Sequence, residues 1–399
     1  MTEELHIEKT VLPPGWLSTE VDTLCEVEYG TRVVRKRDGG TIYPVYGGGG
    51  ATFFMDTFNR ENCLVVARFA MSKKCTRFIN GKFFLNDSGL SVKPRNTDLI
   101  SQKFLNKYFI FLNDYIYSLA RGTAQKNLNV PTFRKLLISY PKSTHQQKQI
   151  VDTLDKAFAA IDTAKANAEQ NLKNAKELFE SYLQNVFENK GDDWEEKSLV
   201  EVTSKIGSGA TPRGGKANYK EVGISLIRSM NVHDFYFKEK NLAFIDDEQA
   251  DALCNVAIQE EDVLLNITGA SIARCCIVPK ECLPARVNQH VSIIRANKEV
   301  INPVFLASLL TSKFFKDQFL EIGEQGATRQ AITKVQLENF EISFPKTTKE
   351  QEKVVQNINT LKAETKKLEA IYTQKIADLE EMKKSVLQKA FSGQLNPIS

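Results

Sequence analysis

The chain repeats itself at a fixed interval, and an internal repeat fixes architecture before any local structure is assigned. Residues 121–187 align without a gap onto residues 325–391, a constant shift of 204, with 16 of the 67 pairs identical. Gly122 meets Gly326, and Ile138-Ser139-Tyr140-Pro141-Lys142 meets Ile342-Ser343-Phe344-Pro345-Lys346. Thr144, Gln147 and Phe187 meet Thr348, Gln351 and Phe391. A second anchor, Pro14-Gly15-Trp16 in one half and Asp193-Trp194 in the other, opens the stretch in front of each repeat. Those stretches differ. The expected layout is variable domain, helix, variable domain, helix.

With 399 residues the chain exceeds the usual single-domain size, so two globular domains plus connecting elements are expected. No apolar run reaches the roughly 18–20 residues of a membrane span, and the acidic start Met1-Thr2-Glu3-Glu4-Leu5 lacks a signal-peptide core. Seven cysteines without a Cys-x-x-Cys fit reduced, structural thiols of a cytoplasmic protein, with no metal site.

The net charge of +4 conceals an uneven distribution. Residues 1–141 hold 19 Lys+Arg against 13 Asp+Glu, whereas residues 192–345 hold 17 against 22. Two local clusters matter more. Residues 31–82 carry ten basic side chains against three acidic ones, among them Arg32, Arg35, Lys36, Arg37, Arg68, Lys73 and Lys74. Residues 204–228 carry Lys205, Arg213, Lys216, Lys220 and Arg228 against Glu221 alone. Basic clusters are the footprint of phosphate contact, although a solvated basic loop has the same composition.

Ser139-Tyr140-Pro141 and Ser343-Phe344-Pro345 each close a strand-like run with proline. Thr144-His145-Gln146-Gln147 and Thr348-Lys349-Glu350-Gln351 then fit capping boxes led by Thr144 and Thr348. Neither helix meets Pro or Gly until Gly191 and Gly393, so each should run about 45 residues, or about 65 Å. Apolar or small residues recur at Ile150, Leu154, Ala157, Ile161, Ala164, Ala168, Leu172, Ala175, Phe179, Tyr182 and Val186. The second helix repeats the seam at Val354, Ile358, Leu361, Thr365, Leu368, Tyr372, Ile376 and Leu379, with an extra four-residue step at the equivalent place. A shared stutter in a 3-4 seam suggests an antiparallel coiled-coil pair within the chain.

The variable stretches read as short strands and turns. In the first, strands are expected at 41–46 and 63–69, a glycine run at Gly47–Gly50, and a hairpin turn at Asn80-Gly81. No Gly-Lys-Ser/Thr follows the glycines, which argues for a flexible turn or a close backbone approach to a ligand over a nucleotide loop. In the second, strands are expected at 224–228, 262–267 and 287–295. Arg228, Asn231, Asn266, Asn288 and Gln289 fall at their ends, and Arg, Asn and Gln are the side chains that read base edges.

Taken together, the chain resembles the specificity subunit of type I restriction–modification enzymes over essentially its whole length. The resemblance rests on Pro14-Gly15-Trp16, Tyr43-Pro44-Val45-Tyr46-Gly47-Gly48, Gly207-Ser208-Gly209-Ala210-Thr211-Pro212-Arg213-Gly214-Gly215 and Ile227-Arg228-Ser229-Met230-Asn231-Val232. It extends to Asp262-Val263-Leu264, Thr268-Gly269-Ala270-Ser271-Ile272, Asn288-Gln289-His290-Val291 and the doubled start of the long helices. One departure is Gly49, where relatives often carry Asn.

The resemblance implies an α+β fold with a pseudo-twofold internal repeat: two mixed α/β target-recognition domains separated by two long antiparallel coiled-coil helices. The expected boundaries are 1–142 and 192–346 for the domains, and 143–191 and 347–399 for the helices. Each domain would read one half of an asymmetric, bipartite double-stranded DNA target. The helices would set the spacing and dock two methyltransferase (M) subunits, joined in restriction by translocase–nuclease (R) subunits. S-adenosylmethionine, ATP and Mg would be used by those partners, with no cofactor or catalytic residue in this chain and no membrane contact. The DNA-binding candidates are Arg32, Arg35, Lys36, Arg37, Tyr46, Arg68, Lys73, Lys74, Lys205, Thr211, Arg213, Lys216, Arg228, Asn231, Thr268, Ser271, Asn288 and Gln289. Two other classes compete: a self-contained DNA methyltransferase or endonuclease, and a coiled-coil scaffold that binds proteins. The first lacks an Asn/Asp-Pro-Pro-Tyr/Phe motif and a cofactor loop; the second leaves the paired basic loops unexplained.

Overall fold

Two copies of one frame carry different sets of sheets. The computed structural model describes residues 12–212, 215–324 and 330–394, without the side chains of Lys216 and Ala217. Packing gathers the chain into two compact units, residues 1–169 with 374–399 and residues 170–373, so each long helix gives one half to each unit.

In the first unit, strand Trp16–Glu20 pairs antiparallel with Leu137–Pro141, Trp16 opposite Pro141. The second unit repeats this with Trp194–Ser198 and Glu341–Pro345, Trp194 opposite Pro345. A single helical turn follows the leading strand in both, Val21–Leu24 and Leu199–Val202. Beyond this frame the units diverge. The first builds a six-stranded sheet in the order 25–29, 89–94, 60–67, 76–85, 43–46, 54–55. The second builds a four-stranded sheet ordered 203–208, 291–296, 263–266, 275–277, and a three-stranded one ordered 243–245, 224–227, 285–287.

Aromatic residues at the helix ends lock each frame. Phe391 closes the second long helix against Phe104, Tyr108 and Phe111, with ring centroids 5.5, 4.9 and 5.3 Å away. Its repeat mate Phe187 meets Trp194 at 6.5 Å and Phe305 at 5.5 Å. Both phenylalanines are buried in the core of their own unit. Fully burying one such side chain contributes about 1.5–3 kcal/mol.

The long helices span Thr144–Glu188 and Thr348–Phe391. In the first unit Lys383 pairs with Asp162 at 2.8 Å and Lys165 pairs with Glu380. In the second, Leu183 and Phe187 share a core with Val355 and Ile358. The end of one helix meets the start of the other in both cases, so the pair is antiparallel. Ala168, Ala175 and Thr365 are buried on the seam, whereas Leu368 is 37% exposed and departs from the expected stripe.

Several local expectations need correction. The helix caps fall one residue early: Ser143 Oγ accepts from Gln146 N at 3.4 Å, and Thr347 Oγ1 accepts from Glu350 N at 3.3 Å. Gln147 and Gln351 therefore stand in the fourth helical position and turn inward. Asn80-Gly81 is no hairpin turn; strand Thr76–Leu85 runs straight through it. The pair instead meets a register shift between Glu61 and Cys63, where Gly81 N–H donates to Asn62 Oδ1 at 2.7 Å. The expected strand at 287–295 is two strands in different sheets, Ala285–Val287 and Val291–Ala296, broken at Asn288–His290.

Candidate nucleic-acid interface

In the first unit the glycine run is a fitted part. A Cβ on Gly48 would collide with the Phe69 carbonyl oxygen, and one on Gly47 with the Asn86 side chain. Gly49 and Gly50 face open space. The close approach expected of this run is thus met by the protein's own backbone. Arg77, which no sequence motif singles out, clamps it: its guanidinium donates to the carbonyls of Gly49, Gly48 (3.1 Å) and Lys74 (3.0 Å). Burial pushes the pKa of Arg77 below the ordinary arginine value.

Gly49, Gly50, Lys73, Lys74 and Arg77 line one side of a cleft of about 1090 Å³, and Lys165, Lys383 and Lys384 from the long helices line the other. Lys73 and Lys74 are exposed at its rim. Asp114, Asp162 and Glu380 partly offset the charge. In the sequence the helix lysines do not stand out as site residues, because a charged helix surface is ordinarily a solvated face.

Arg32, Arg35, Lys36 and Arg37 are exposed on and before the short helix Arg35–Asp38. Asp38 takes up one of these charges: Arg37 Nε donates to it at 2.9 Å. Hydrogen bonds from Arg37 and from Val34 N–H hold its carboxyl below the usual carboxylate range. Arg68 is a fixed cation, 4.8 Å from the Tyr29 ring centroid and 4.2 Å from that of Phe69. Tyr46 packs edge-on against Phe83 at 5.6 Å, which leaves only part of its ring accessible.

In the second unit four loops converge. Gly209 lies so close to the Val287 carbonyl that no Cβ fits, and its N–H donates to Asn288 O at 3.2 Å. Asn288 N–H donates to Ile227 O at 3.0 Å, and Ile267 N–H to His290 O at 3.0 Å. These bonds tie the 207–211, 227–231 and 267–271 loops to 288–290. Thr211, Gln289 and Thr268 are joined into one polar row by His290, one of four histidines scattered along the sequence. Ser271 ends the neighbouring turn and is half-buried, and Lys205 spends its ammonium on Asn255 O. Arg228 lies over Tyr219 at 5.3 Å and donates to Asn241 O.

Asn231 and Asn288 require a correction as base readers. Asn231 is fully buried, donating to Lys238 O at 2.9 Å and accepting from Arg228 N at 3.1 Å. Asn288 is buried and accepts from His290 N at 3.1 Å. Asn266, read in the same way, is buried with its amide on Ser229 O at 2.9 Å. These amides shape the loops from within. Arg213 lies outside the described residues, and so does the side chain of Lys216. Among the described residues no group of three His, Cys, Asp or Glu side chains converges to hold a metal ion.

Comparison with known proteins also finds the doubling. The type I restriction modification DNA specificity domain matches residues 15–174 and again residues 191–380. The chain belongs to this family. It is 24% identical over 320 residues to the type I restriction enzyme EcoBI specificity subunit of Escherichia coli, covering 73% of this chain and 66% of that protein. A putative type I restriction enzyme MjaX specificity subunit of Methanocaldococcus jannaschii is 25% identical over 203 residues, 50% of this chain and 46% of the other. The chain thus spans about two thirds or less of the length of these relatives. Among solved structures, a chain from work on complex assembly and conformational transition of the type I R-M system superposes with a TM-score of 0.75 at 18% identity. It covers 96% of this chain and 100% of its own. The HsdS subunit from Thermoanaerobacter tengcongensis gives 0.60 at 17% identity, with 98% and 100% covered. Both establish the fold: two α+β units, each built on a shared pair of long helices.

Proposed function

We propose that this member of the specificity family is the DNA-reading subunit of a type I restriction–modification complex, with each unit reading one half of a bipartite target. One observation carries the reading. The Trp-to-Pro ribbon and the helix start are duplicated, while the loops mounted on them differ in both residues and strand order. A repeated frame with differing polar loops suits two different ligands of one chemical kind. Cations at 32–37 and 73–74 supply phosphate contacts, and the polar row of the second unit offers groups for base edges. The long helices dock methyltransferase subunits, and restriction subunits join that assembly. Methyl transfer and cleavage, with S-adenosylmethionine, ATP and Mg, belong to those partners, so this chain contributes no catalytic group.

Titration of duplex DNA across a range of salt concentrations tests the reading. Replacing Arg32, Arg35 and Lys36 by Ala in one variant, and Arg213 and Lys216 in another, should weaken binding. The slope of log K against log salt should fall by about 0.9 for each phosphate that is no longer neutralised. Folded variants with unchanged affinity and slope in both sets would remove the basis for the proposal.

A further inference from the structure

Gln289 is exposed, yet both ends of its amide are held. Thr211 Oγ1 hydrogen-bonds to Oε1, and Nε2 lies 3.2 Å from His290 Nε2. His290 Nδ1 is in turn 2.6 Å from Thr268 Oγ1. The row Thr211–Gln289–His290–Thr268 can be protonated in two directions. In one, Thr211 donates to the amide oxygen, the amide donates to His290 Nε2, and Nδ1–H donates to Thr268. In the other every bond reverses and the amide is turned over. Each direction uses one lone pair of the amide oxygen and one of the two amide N–H groups. One acceptor site and one N–H on this exposed side chain therefore remain uncommitted.

The loop beneath is equally constrained. Asn288 fastens it through its buried side chain to His290 N and through its backbone to Gly209 and Ile227. A side chain held this way loses little further freedom on binding, which favours affinity and specificity.

Building on the DNA-reading function, we infer that Gln289 is a specificity-determining residue that reads one adenine of the second unit's half-site through the major groove. An adjacent acceptor and donor complement adenine, which presents the N6 amino group as donor and N7 as acceptor. Guanine presents two acceptors there, thymine an acceptor and a methyl group, and cytosine a single donor, so none matches both free valences. Thr211 and His290 act as positioning residues, and Thr268 fixes the imidazole.

Selection of binding sites from a randomised double-stranded DNA library, with the full chain, tests this. Wild-type selection should return one A·T pair that depends on Gln289. Q289A should lose roughly tenfold or more of the preference at that position alone, with its other preferences kept. Q289E offers only acceptors and should move the same position towards C·G, since cytosine N4 donates. Gln289 is exposed, and a thermal melt of each variant establishes that the fold is kept. If wild type selects specific sites but neither substitution alters any single position, the inference is overturned. Equal loss of binding to all sequences by folded Q289A also overturns it, because removing a base reader relaxes one position. Absence of any sequence preference in wild type would count against the DNA-reading function itself.

Discussion

Gln147 and Gln351, 204 positions apart, are both fully buried and make the same three hydrogen bonds. Gln147 Nε2 donates to Leu99 O (2.7 Å) and Pro141 O (3.0 Å), and its Oε1 accepts from Ser101 N (2.9 Å). Gln351 Nε2 donates to Val300 O (3.0 Å) and Pro345 O (2.9 Å), and its Oε1 accepts from Asn302 N (2.7 Å). Ser101 and Asn302 are themselves helix caps, for Gln102–Phe111 and Pro303–Thr311. One amide thus joins three parts of each unit: the closing strand, the long helix and the start of a core helix. The repeat is conserved where the frame is bolted together.

Gln147→Ala and Gln351→Ala should each destabilise the chain by about 2–4 kcal/mol, since backbone groups are left buried without partners. Leucine restores volume but no hydrogen bond and should do little better. Denaturant unfolding gives the size of the loss, and amide hydrogen exchange at Ser101 or Asn302 shows whether it is local. Unchanged exchange at both amides would contradict the assignment.

The glycine run separates into two pairs. Gly48→Ala should cost about 1–3 kcal/mol, because the Phe69 backbone must move to admit a Cβ. Gly50→Ala faces open space and should be neutral or slightly stabilising through the unfolded chain. Thermal melts of the two variants should differ clearly; equal melts would mean that the loop is not clamped.

How much of the fold is legible in the sequence follows from periodicity. The doubled helices and their antiparallel pairing can be read, because a 3-4 seam with a matched stutter is a long-range signal that survives divergence. The helix caps are misplaced by one residue, since Ser143-Thr144 and Thr347-Thr348 both offer hydroxyls and only three-dimensional fit decides between them. Asn80-Gly81 misleads because its turn chemistry also serves a register shift inside a strand. Asn231, Asn266 and Asn288 carry the residue type of base readers, but burial decides whether an amide faces a loop or a ligand. Arg77 and His290 act through residues distant in sequence. Their partners, Gly49 and Thr268, are 28 and 22 positions away.

Thiol chemistry should distinguish one cysteine from six. Cys254 is exposed, and the other six are buried. Burial pushes the Cys25 and Cys276 thiols up to about 12 and Cys75 up to about 11. A disulfide reagent at pH 8 should therefore modify one equivalent rapidly and six more only after denaturation. The raised thiols favour the folded state below 9.0, where unfolded thiols begin to ionise, and that contribution is lost as pH climbs towards 12. More than one fast equivalent in the native chain would contradict the burial of the remainder.

Asp262 and Arg295, 33 positions apart in sequence, fasten two strands of the second unit together. The Asp262 carboxylate is 1% exposed and accepts from Arg295 Nε and Nη2, both at 2.8 Å, and from Gln259 N at 2.7 Å. Arg295 also donates to Ala257 O at 3.1 Å, so the pair ties strand Val291–Ala296 to the turn before Val263–Asn266. Asp262→Ala removes one charge and leaves Arg295 partly buried without its counterion, a loss of about 3–5 kcal/mol. Asp262→Ala combined with Arg295→Met should recover part of that loss, because no charge is then stranded and an apolar chain fills the gap. A double-mutant cycle in denaturant reads the coupling directly. Additive losses would show that the pair acts as two independent packing groups.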